Sequence, residues 1–188
     1  PNEITREAVR GMESSRLQDR ATHETTLPFT RMLAGPADYS VVHFGARKQN
    51  TTWTHQIATA AVFSQPMLTY AANPSNILIN PGVEMIKSIP PVWDETIVLP
   101  PSEIGKLAVY ARRSGDTWFL AVIEGVDAQS IHVPLSFLGP GAYQSLLIRD
   151  SGAGAEAEQI ERPGLRREDT LTVNLRSGGG FIGRFTKK

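Results

Sequence analysis

The sequence contains no cysteine, so disulfide bonds and cysteine-ligated zinc sites are excluded, although this absence does not fix the cellular compartment. It also lacks any run of about 18 apolar residues, the length that a membrane-spanning helix requires. Nineteen basic residues balance nineteen acidic ones among 188, so charge does not favour nucleic acid or an anionic membrane as a partner. With 40% hydrophobic residues, the chain is expected to bury a core as a globular protein.

The N-terminal residues lack two further features. "PNEITREAVR" contains neither a start methionine nor the apolar core of a signal peptide. We therefore expect the chain to begin inside a longer protein, with any signal segment outside the present sequence.

What the first half does contain is an alternation of short apolar runs with helical patterns. "THQIATAAVFSQ" carries good helix formers with its apolar residues on one side, and "NPGVEMIKSIP" has the signals of a short helix that starts at Asn80 with Pro81 at its first position. The runs "TLPFTRMLAG" and "PMLTYAANP" end in turn signals and predict buried strands. Strands that alternate with helices predict βαβ units and a parallel sheet, but too few units to close a domain.

The character of the sequence changes near residue 95, after which the pattern is that of β-structure alone. Ser114-Gly115-Asp116 predicts a hairpin turn, and "RSGGGF" lacks the Lys-Ser/Thr of a phosphate-binding loop, so it predicts a flexible approach to the last strand. We therefore expect an α/β region over residues 1–95 and an antiparallel β-sandwich over residues 96–188. The predicted strands are "KLAVYARR", "TWFLAVIE", "QSIHVPL", "GAYQSLLIRD", "AEQIE", "TLTVNLR" and "GGFIGRFT".

Two glutamates near the N-terminus, Glu7 and Glu13 in "TREAVRGMESSR", allow two interpretations. Apolar residues recur every four positions from Ile4, which is typical of a surface helix, and on a helix the two carboxylates would point about 120° apart. Gly11 opposes a helix interior and favours a turn. On a continuous strand the carboxylates would be roughly 20 Å apart. A shared site therefore requires a loop that folds back near Gly11.

Six longer stretches follow one another in order over nearly the whole chain: "PNEITREAVRGMES", "TLPFTRMLAGPADY", "VWDETIVL", "YARRSGDTWFLAVI", "VPLSFLGPGAYQSLLIRD" and "GGGFIGRF". Together they resemble the C-terminal part of glycoside hydrolase family 97. That family includes bacterial α-glucosidases and α-galactosidases, built from an N-terminal β-sandwich, a (β/α)8 TIM barrel and a C-terminal β-sandwich. The resemblance implies that residues 1–95 form the C-terminal part of the barrel and residues 96–188 the C-terminal β-sandwich domain.

The resemblance also implies roles for the two glutamates. Glu7 is similar to a calcium ligand, and Glu13 to the general acid, which also touches calcium in members that bind the metal. A protonated carboxyl assists the departure of a glycosidic oxygen, and a carboxylate-bound calcium ion can position and polarise the substrate. Ala8, where the family usually has Gly, and Ser14-Ser15, where a bulky residue is common, depart from the pattern.

The remaining expectations also follow from the resemblance. It places the second catalytic carboxylate, a base or a nucleophile, upstream of Pro1, so this chain does not decide between inversion and retention. It implies an exo-acting α-glycosidase for oligosaccharides, periplasmic or secreted in a bacterium, with the upstream barrel portion as the partner of this chain. Two alternatives stay open: a carbohydrate-binding β domain, which needs an exposed row of aromatic side chains, and a purely structural β domain.

Asp38 in "GPADY" is a further candidate. It follows the strand predicted for "TLPFTRMLAG", whose end would lie on the catalytic face of a barrel. A substrate contact and an Asx-type turn after Gly35-Pro36 are about equally consistent with this position. The candidate site thus comprises Glu13 as catalytic acid, Asp38 as substrate-binding residue, and Glu7 with Glu13 as calcium ligands.

Overall fold

The computed structural model describes residues 9–11, 17–152, 154–156 and 158–188. The described helices lie in the first half of the chain and the strands in the second. The helices are α1 (Arg20–Thr26), α2 (Trp53–Val62), α3 (Pro74–Ile79) and α4 (Val83–Ser88). The strands are β1 (Glu95–Val98), β2 (Leu107–Ser114), β3 (Thr117–Glu124), β4 (Gln129–Pro134), β5 (Ala142–Asp150), β6 (Glu158–Glu161), β7 (Gly164–Arg166), β8 (Thr170–Leu175) and β9 (Gly180–Lys187).

Helix α2 confirms the helix predicted from "THQIATAAVFSQ". The hydroxyl of Thr52 caps its first turn by accepting a 3.1 Å hydrogen bond from the backbone N–H of His55. Nine of its ten residues are buried, so α2 is a core helix with tertiary contacts on nearly every side.

Helix α4 confirms the short helix predicted in "NPGVEMIKSIP", but it begins at Val83 rather than at Pro81. The side-chain oxygen of Asn80 accepts a 2.7 Å hydrogen bond from the backbone N–H of Gly82, which closes a turn ahead of the helix. The start signal in the sequence is therefore displaced by two residues.

The parallel sheet predicted for the first half is absent from the described residues. "TLPFTRMLAG" forms two short 3-10 helices, Leu27–Phe29 and Arg31–Ala34, because Pro28 suits a first helical turn and an apolar run alone does not distinguish a strand from a helix. "PMLTYAANP" contributes only Tyr70, in an isolated parallel bridge to Val41. The α/β expectation for residues 1–95 was therefore wrong as to the sheet, and no TIM barrel is present among the residues that the structure describes.

The β half agrees closely with its prediction. All seven predicted segments are strands, and the antiparallel register that pairs Ser114 with Thr117 leaves Gly115 and Asp116 as the hairpin turn. The main sheet has the order β1-β2-β3-β9-β5-β6, with β7 also paired to β5, and β4 pairs with β8 in a second, smaller sheet. The prediction missed β1 and β7, which are only four and three residues long.

The two faces of the main sheet contact different layers, because successive side chains of a strand point to opposite sides. The helices cover one face, and the small sheet of β4 and β8 covers the other. The helix-facing core positions of β3 are Phe119, Ala121 and Ile123, and those facing the small sheet are Trp118, Leu120 and Val122.

The three glycines of "RSGGGF" are buried and closely packed, so the expectation of a flexible approach to the last strand was wrong. Gly178 has φ of 63°, which favours glycine, and its carbonyl oxygen accepts a 2.9 Å hydrogen bond from the backbone N–H of Thr52. A Cβ on Gly180 would lie 2.5 Å from Cα of His55. These glycines allow the start of β9 to contact the first turn of α2.

Candidate functional site

Glu7 and Glu13 lie outside the described residues, so their roles and the calcium site stay predictions. Residues 9–11, which connect them in sequence, are described. Val9 packs against the hydrophobic core, and Gly11 is buried. The Nε2–H of His23 on α1 donates a 2.9 Å hydrogen bond to the carbonyl oxygen of Arg10. Arg10 stands three residues from each glutamate, so α1 anchors the middle of the segment that carries them.

Asp38 is exposed on a loop between the second 3-10 helix and α2. Its neighbours Ala37 and Tyr39 are completely buried. The backbone N–H of Ala37 donates a 3.3 Å hydrogen bond to the carbonyl of Ser64, which follows α2. The Asp38 carboxylate is therefore accessible while the backbone that carries it is held, as a substrate contact requires.

A buried polar network underlies this loop, with the carboxylate of Glu24 at its centre. Oε1 of Glu24 accepts a 2.6 Å hydrogen bond from the hydroxyl of Tyr39, and that hydroxyl accepts a 2.7 Å hydrogen bond from Nη1 of Arg20. Oε2 accepts a 2.9 Å hydrogen bond from Nε2 of Gln56 and lies 3.0 Å from Nε2 of His55. All five side chains are shielded from solvent, so the network connects α1, the Asp38 loop and α2 without touching a substrate itself.

The electrostatics of the network favour an ionised Glu24. Burial alone would raise the pKa of Glu24, but the hydrogen bond and charge of His55, the hydroxyl of Tyr39 and the charge of Arg20 together hold this pKa below its ordinary value. Burial and the charge of Glu24 raise the pKa of Tyr39 well above its ordinary value. The phenol therefore remains a hydrogen-bond donor to Glu24 over the whole useful pH range.

His55 extends the network towards the β half. Its Nδ1 lies 3.0 Å from the carbonyl oxygen of Gly179 and must carry a proton, since a carbonyl only accepts. Burial raises the pKa of nearby Glu124 to about 7, although hydrogen bonds from the side chain of Gln129 and the backbone N–H of Gly125 act to lower it. Burial also raises the pKa of Asp150, whose Oδ2 accepts a 2.9 Å hydrogen bond from Gly180 N–H. The complete burial of His55 favours a structural role for this side chain.

Sequence reasoning missed most of this network. Arg20 and Glu24 occupy positions i and i+4 of a short polar helix, a spacing that usually marks an exposed ion pair. One available signal was Asp19, whose carboxylate caps α1 by accepting a hydrogen bond from Thr22 N–H. With the start of α1 fixed in this way, both residues fall on one face of the helix.

The described residues hold no group of three or more histidine, cysteine, aspartate or glutamate side chains that could bind a metal ion. None of the described helices is long and apolar enough to cross a bilayer. All fourteen Phe, Trp and Tyr residues belong to the described part of the chain, and each is buried or half-buried. An exposed aromatic row, which a carbohydrate-binding domain would need, is therefore not present on this part of the chain.

Comparison with known families identifies the β half. Residues 92–186 match the family model described as "Glycosyl-hydrolase 97 C-terminal, oligomerisation". The chain belongs to glycoside hydrolase family 97. A curated relative in this family, a retaining alpha-galactosidase from Bacteroides thetaiotaomicron, is 34% identical over 96% of the chain. A probable retaining alpha-galactosidase from Streptomyces bingchenggensis is 30% identical over 96% of the chain.

Solved structures agree with the family 97 assignment. A family 97 enzyme from Pseudoalteromonas sp. strain K8, determined in complexes with panose and with acarbose, superposes on 88% of this chain with a TM-score of 0.82 and 28% identity. A beta-arabinopyranosidase at 23% identity, with a TM-score of 0.76, shares the fold. The chain spans about 30% of the length of the curated relatives and 28% of the Pseudoalteromonas enzyme.

Proposed function

We propose that this chain is the C-terminal portion of an exo-acting α-glycoside hydrolase that removes terminal α-linked sugars from oligosaccharides. The observation that carries the proposal is the 34% identity to a retaining alpha-galactosidase, which extends over 96% of the chain and therefore well beyond the β domain. An α-galactoside is therefore the first substrate to test, and an α-glucoside the second. Because the curated relatives are named as retaining enzymes, we propose retention, with a nucleophilic carboxylate from the upstream portion.

Within this proposal Glu13 is the general acid and Asp38 binds hydroxyl groups of the terminal sugar. The anchoring of Arg10 by His23 supports a fixed acid, since general acid catalysis requires a proton donor within hydrogen-bond reach of the leaving oxygen. The exposure of Asp38 above a rigid buried network supports its contact with substrate.

Calcium is part of the proposal through Glu7 and Glu13, with further ligands from the upstream portion. Two carboxylates are the donor type that calcium prefers, and a cation would relieve their mutual repulsion. When bound, the metal would polarise the substrate, while Glu13 would supply the proton. Chelator treatment of the full-length enzyme should abolish activity, and calcium should restore it. Full activity after complete removal of the metal would reject the calcium proposal.

The helical half supports a partnership with the upstream portion of the same enzyme. Leu33, Leu78 and Ile79 are 78%, 60% and 80% exposed, and helix α3 has no buried residue at all. Contiguous exposed apolar patches mark interaction surfaces, and the adjacent Leu78 and Ile79 on α3 favour such a surface here. We propose that this surface contacts the upstream catalytic portion of the same enzyme, which is exported to the periplasm or secreted.

A second proposal concerns assembly, and rests on the description of the matched family model, which names oligomerisation. Strands β1 and β4 are edge strands of their sheets, and an apolar groove of about 540 Å³ lies between the end of β1 and β4. We propose that a second copy of the enzyme docks there, since an open edge with apolar walls favours association. Light scattering on the enzyme and its Ser130→Arg variant, at an exposed position of β4 that lines this groove, tests the proposal, and a variant that stays dimeric would reject the groove as the docking surface.

The function itself is tested by comparing the full-length enzyme with residues 1–188 alone. The full-length enzyme should hydrolyse α-galactosides or α-glucosides with release of the terminal sugar. The isolated chain should be inactive, since it holds one of the two carboxyl groups that the reaction needs. An inactive full-length enzyme would reject the proposed activity, and robust turnover by residues 1–188 would require a second catalytic carboxylate within them, with Asp38 as the first candidate.

A further inference from the structure

The loop of residues 37–44, which carries Asp38, is tied to the surrounding core along its whole length. Its first backbone N–H, from Ala37, donates to the carbonyl of Ser64, and the N–H of Val41 donates a 3.0 Å hydrogen bond to the carbonyl of Thr69. Near its end, the N–H of His43 donates a 3.2 Å hydrogen bond to Oε1 of Gln56. The loop is therefore held in one conformation by contacts on three different segments.

One residue of this loop adopts a backbone conformation that costs energy. Val42 has φ of 59°, in the left-handed region that β-branched residues rarely occupy, and its side chain is completely buried. Such conformations persist only where the surroundings over-determine them, and they are concentrated at functional sites. The loop is thus kept in a shape that its own sequence does not favour.

Tyr39 is the strongest contact between this loop and the core. Its hydroxyl joins Arg20 and Glu24 at 2.7 and 2.6 Å, and its ring packs edge-on against Phe63 with centroids 5.0 Å apart. Ala37 and Tyr39 are buried and Asp38 between them is exposed, an alternation typical of extended backbone. Fixing the side chain of Tyr39 therefore fixes the direction in which the neighbouring Asp38 points.

We propose that Tyr39 is a positioning residue that acts through Asp38: its hydrogen bonds to Glu24 and Arg20 hold the Asp38 carboxylate in the direction needed to accept hydrogen bonds from hydroxyl groups of the terminal sugar. The inference rests on the proposed function, because it assumes that Asp38 contacts the substrate. A carboxylate held in place binds hydroxyl groups without first losing conformational freedom, so its direction contributes to the affinity.

The experiment is a double-mutant cycle in the full-length enzyme, with the α-glycoside that the wild type hydrolyses best. Asp38→Asn should raise KM by tenfold or more, and Tyr39→Phe, which keeps the ring and removes only the hydroxyl, should raise KM by about threefold to tenfold with little change in kcat. In the Asp38→Asn background, Tyr39→Phe should have no further effect on KM. The control is Tyr143→Phe, because the hydroxyl of Tyr143 accepts a hydrogen bond from Gly139 in the β half, and it should leave KM unchanged.

The outcomes separate the inference from the function on which it rests. An inactive wild-type enzyme rejects the proposed function, and an active enzyme whose KM is insensitive to Asp38→Asn rejects the role of Asp38. If Asp38→Asn raises KM but Tyr39→Phe has the same effect in both backgrounds, Tyr39 acts independently and the inference alone is wrong. If Tyr39→Phe does not fold, Arg20→Met, which removes the other partner of the same hydroxyl, takes its place in the cycle with the same expectations.

Discussion

The helical half and the β half of this chain are held together by different chemistry. Of the fourteen buried polar residues in the described chain, eleven lie between residues 20 and 80, and only Arg112, Glu124 and Ser145 lie in the β half. Between the two sheets of the β half, aliphatic and aromatic side chains interdigitate. Between the helices, the carboxylate of Glu24 is buried together with the guanidinium of Arg20 and the imidazole of His55.

This difference indicates that the β half mainly determines the stability of the fold, whereas the hydrogen bonds of the helical half mainly determine where side chains and loops point. Apolar contacts are non-directional and many, so the loss of one costs stability without redirecting its neighbours. Buried hydrogen bonds are few and directional, and each determines where a particular side chain or loop points. We therefore expect substitutions in the β half to change the amount of folded enzyme, and substitutions in the network of the helical half to change its kinetics.

The largest effect is expected at Glu13 in the full-length enzyme. Glu13→Gln removes the proton donor and should slow hydrolysis of unactivated α-galactosides by about 10²- to 10⁴-fold. Glycosyl fluorides should be affected far less, because fluoride leaves with little protonation. Steady-state kinetics on both substrates provide the measurement, and an equal loss on both would assign Glu13 to metal binding or structure instead.

A core truncation in the β half should produce the opposite pattern. Leu120→Ala deletes a completely buried side chain between the two sheets and should lower the free energy of unfolding by about 3 kcal/mol. The kcat and KM of the enzyme that remains folded should match the wild type. Urea denaturation and active-site titration measure the two quantities, and a changed KM at unchanged stability would contradict the separation between the halves.

Glu124 tests the comparison at the junction between the halves. Its pKa is raised by burial to about 7, above the value of an unfolded glutamate, so the folded state retains the proton to higher pH. The associated stability is fully present below about pH 4.5 and is lost as the pH rises through about 7. Relative to Glu124→Gln, the wild type should lose about 2 kcal/mol of unfolding free energy between about pH 5 and pH 8. A pH-independent difference between the two proteins would show that Glu124 is already ionised at low pH.

The smallest of these effects is expected at His23, which touches no substrate. His23→Phe keeps a ring but removes the hydrogen bond to the carbonyl of Arg10, and should slow hydrolysis of unactivated substrates by about tenfold, with less effect on glycosyl fluorides. His23→Gln, which can restore a donor, should recover part of the rate. The control is Thr172→Val on strand β8, which removes an exposed side-chain hydrogen bond in the β half and should have no effect on either substrate. Equal losses on both substrates would give His23 a purely structural role.

The two halves also differed in how far they could be predicted from sequence. Strands of the β half show alternating apolar residues between strong turn signals, and Ser114-Gly115-Asp116 identifies its hairpin directly. Runs such as "TLPFTRMLAG" are apolar without a period, so they could not be distinguished from the 3-10 helices that they form. The division of the chain at residue 95 stays a prediction.

The candidate site was predicted only in part, for a related physical reason. Asp38 was chosen because it follows an apolar run, and its side chain is exposed, but its role in binding stays a prediction. The residues that support it, Arg20, Glu24 and Tyr39, carry charges or hydroxyls that in sequence resemble surface residues. Their burial depends on partners up to 32 residues away, such as Gln56 for Glu24, and no local pattern reports such a contact.

The close packing of the triple glycine limits how freely the C-terminal domain could be exchanged between enzymes. The matched family domain begins at residue 92, yet Gly178 and Gly180 inside it contact Asn50 and His55 outside it, with no space for a side chain between them. A chimera joined at residue 92 would therefore combine two surfaces selected for different partners, and a single Cβ at this junction would keep them apart. The domain is a unit of sequence, but for recombination or protein engineering its practical boundary includes the first turn of helix α2.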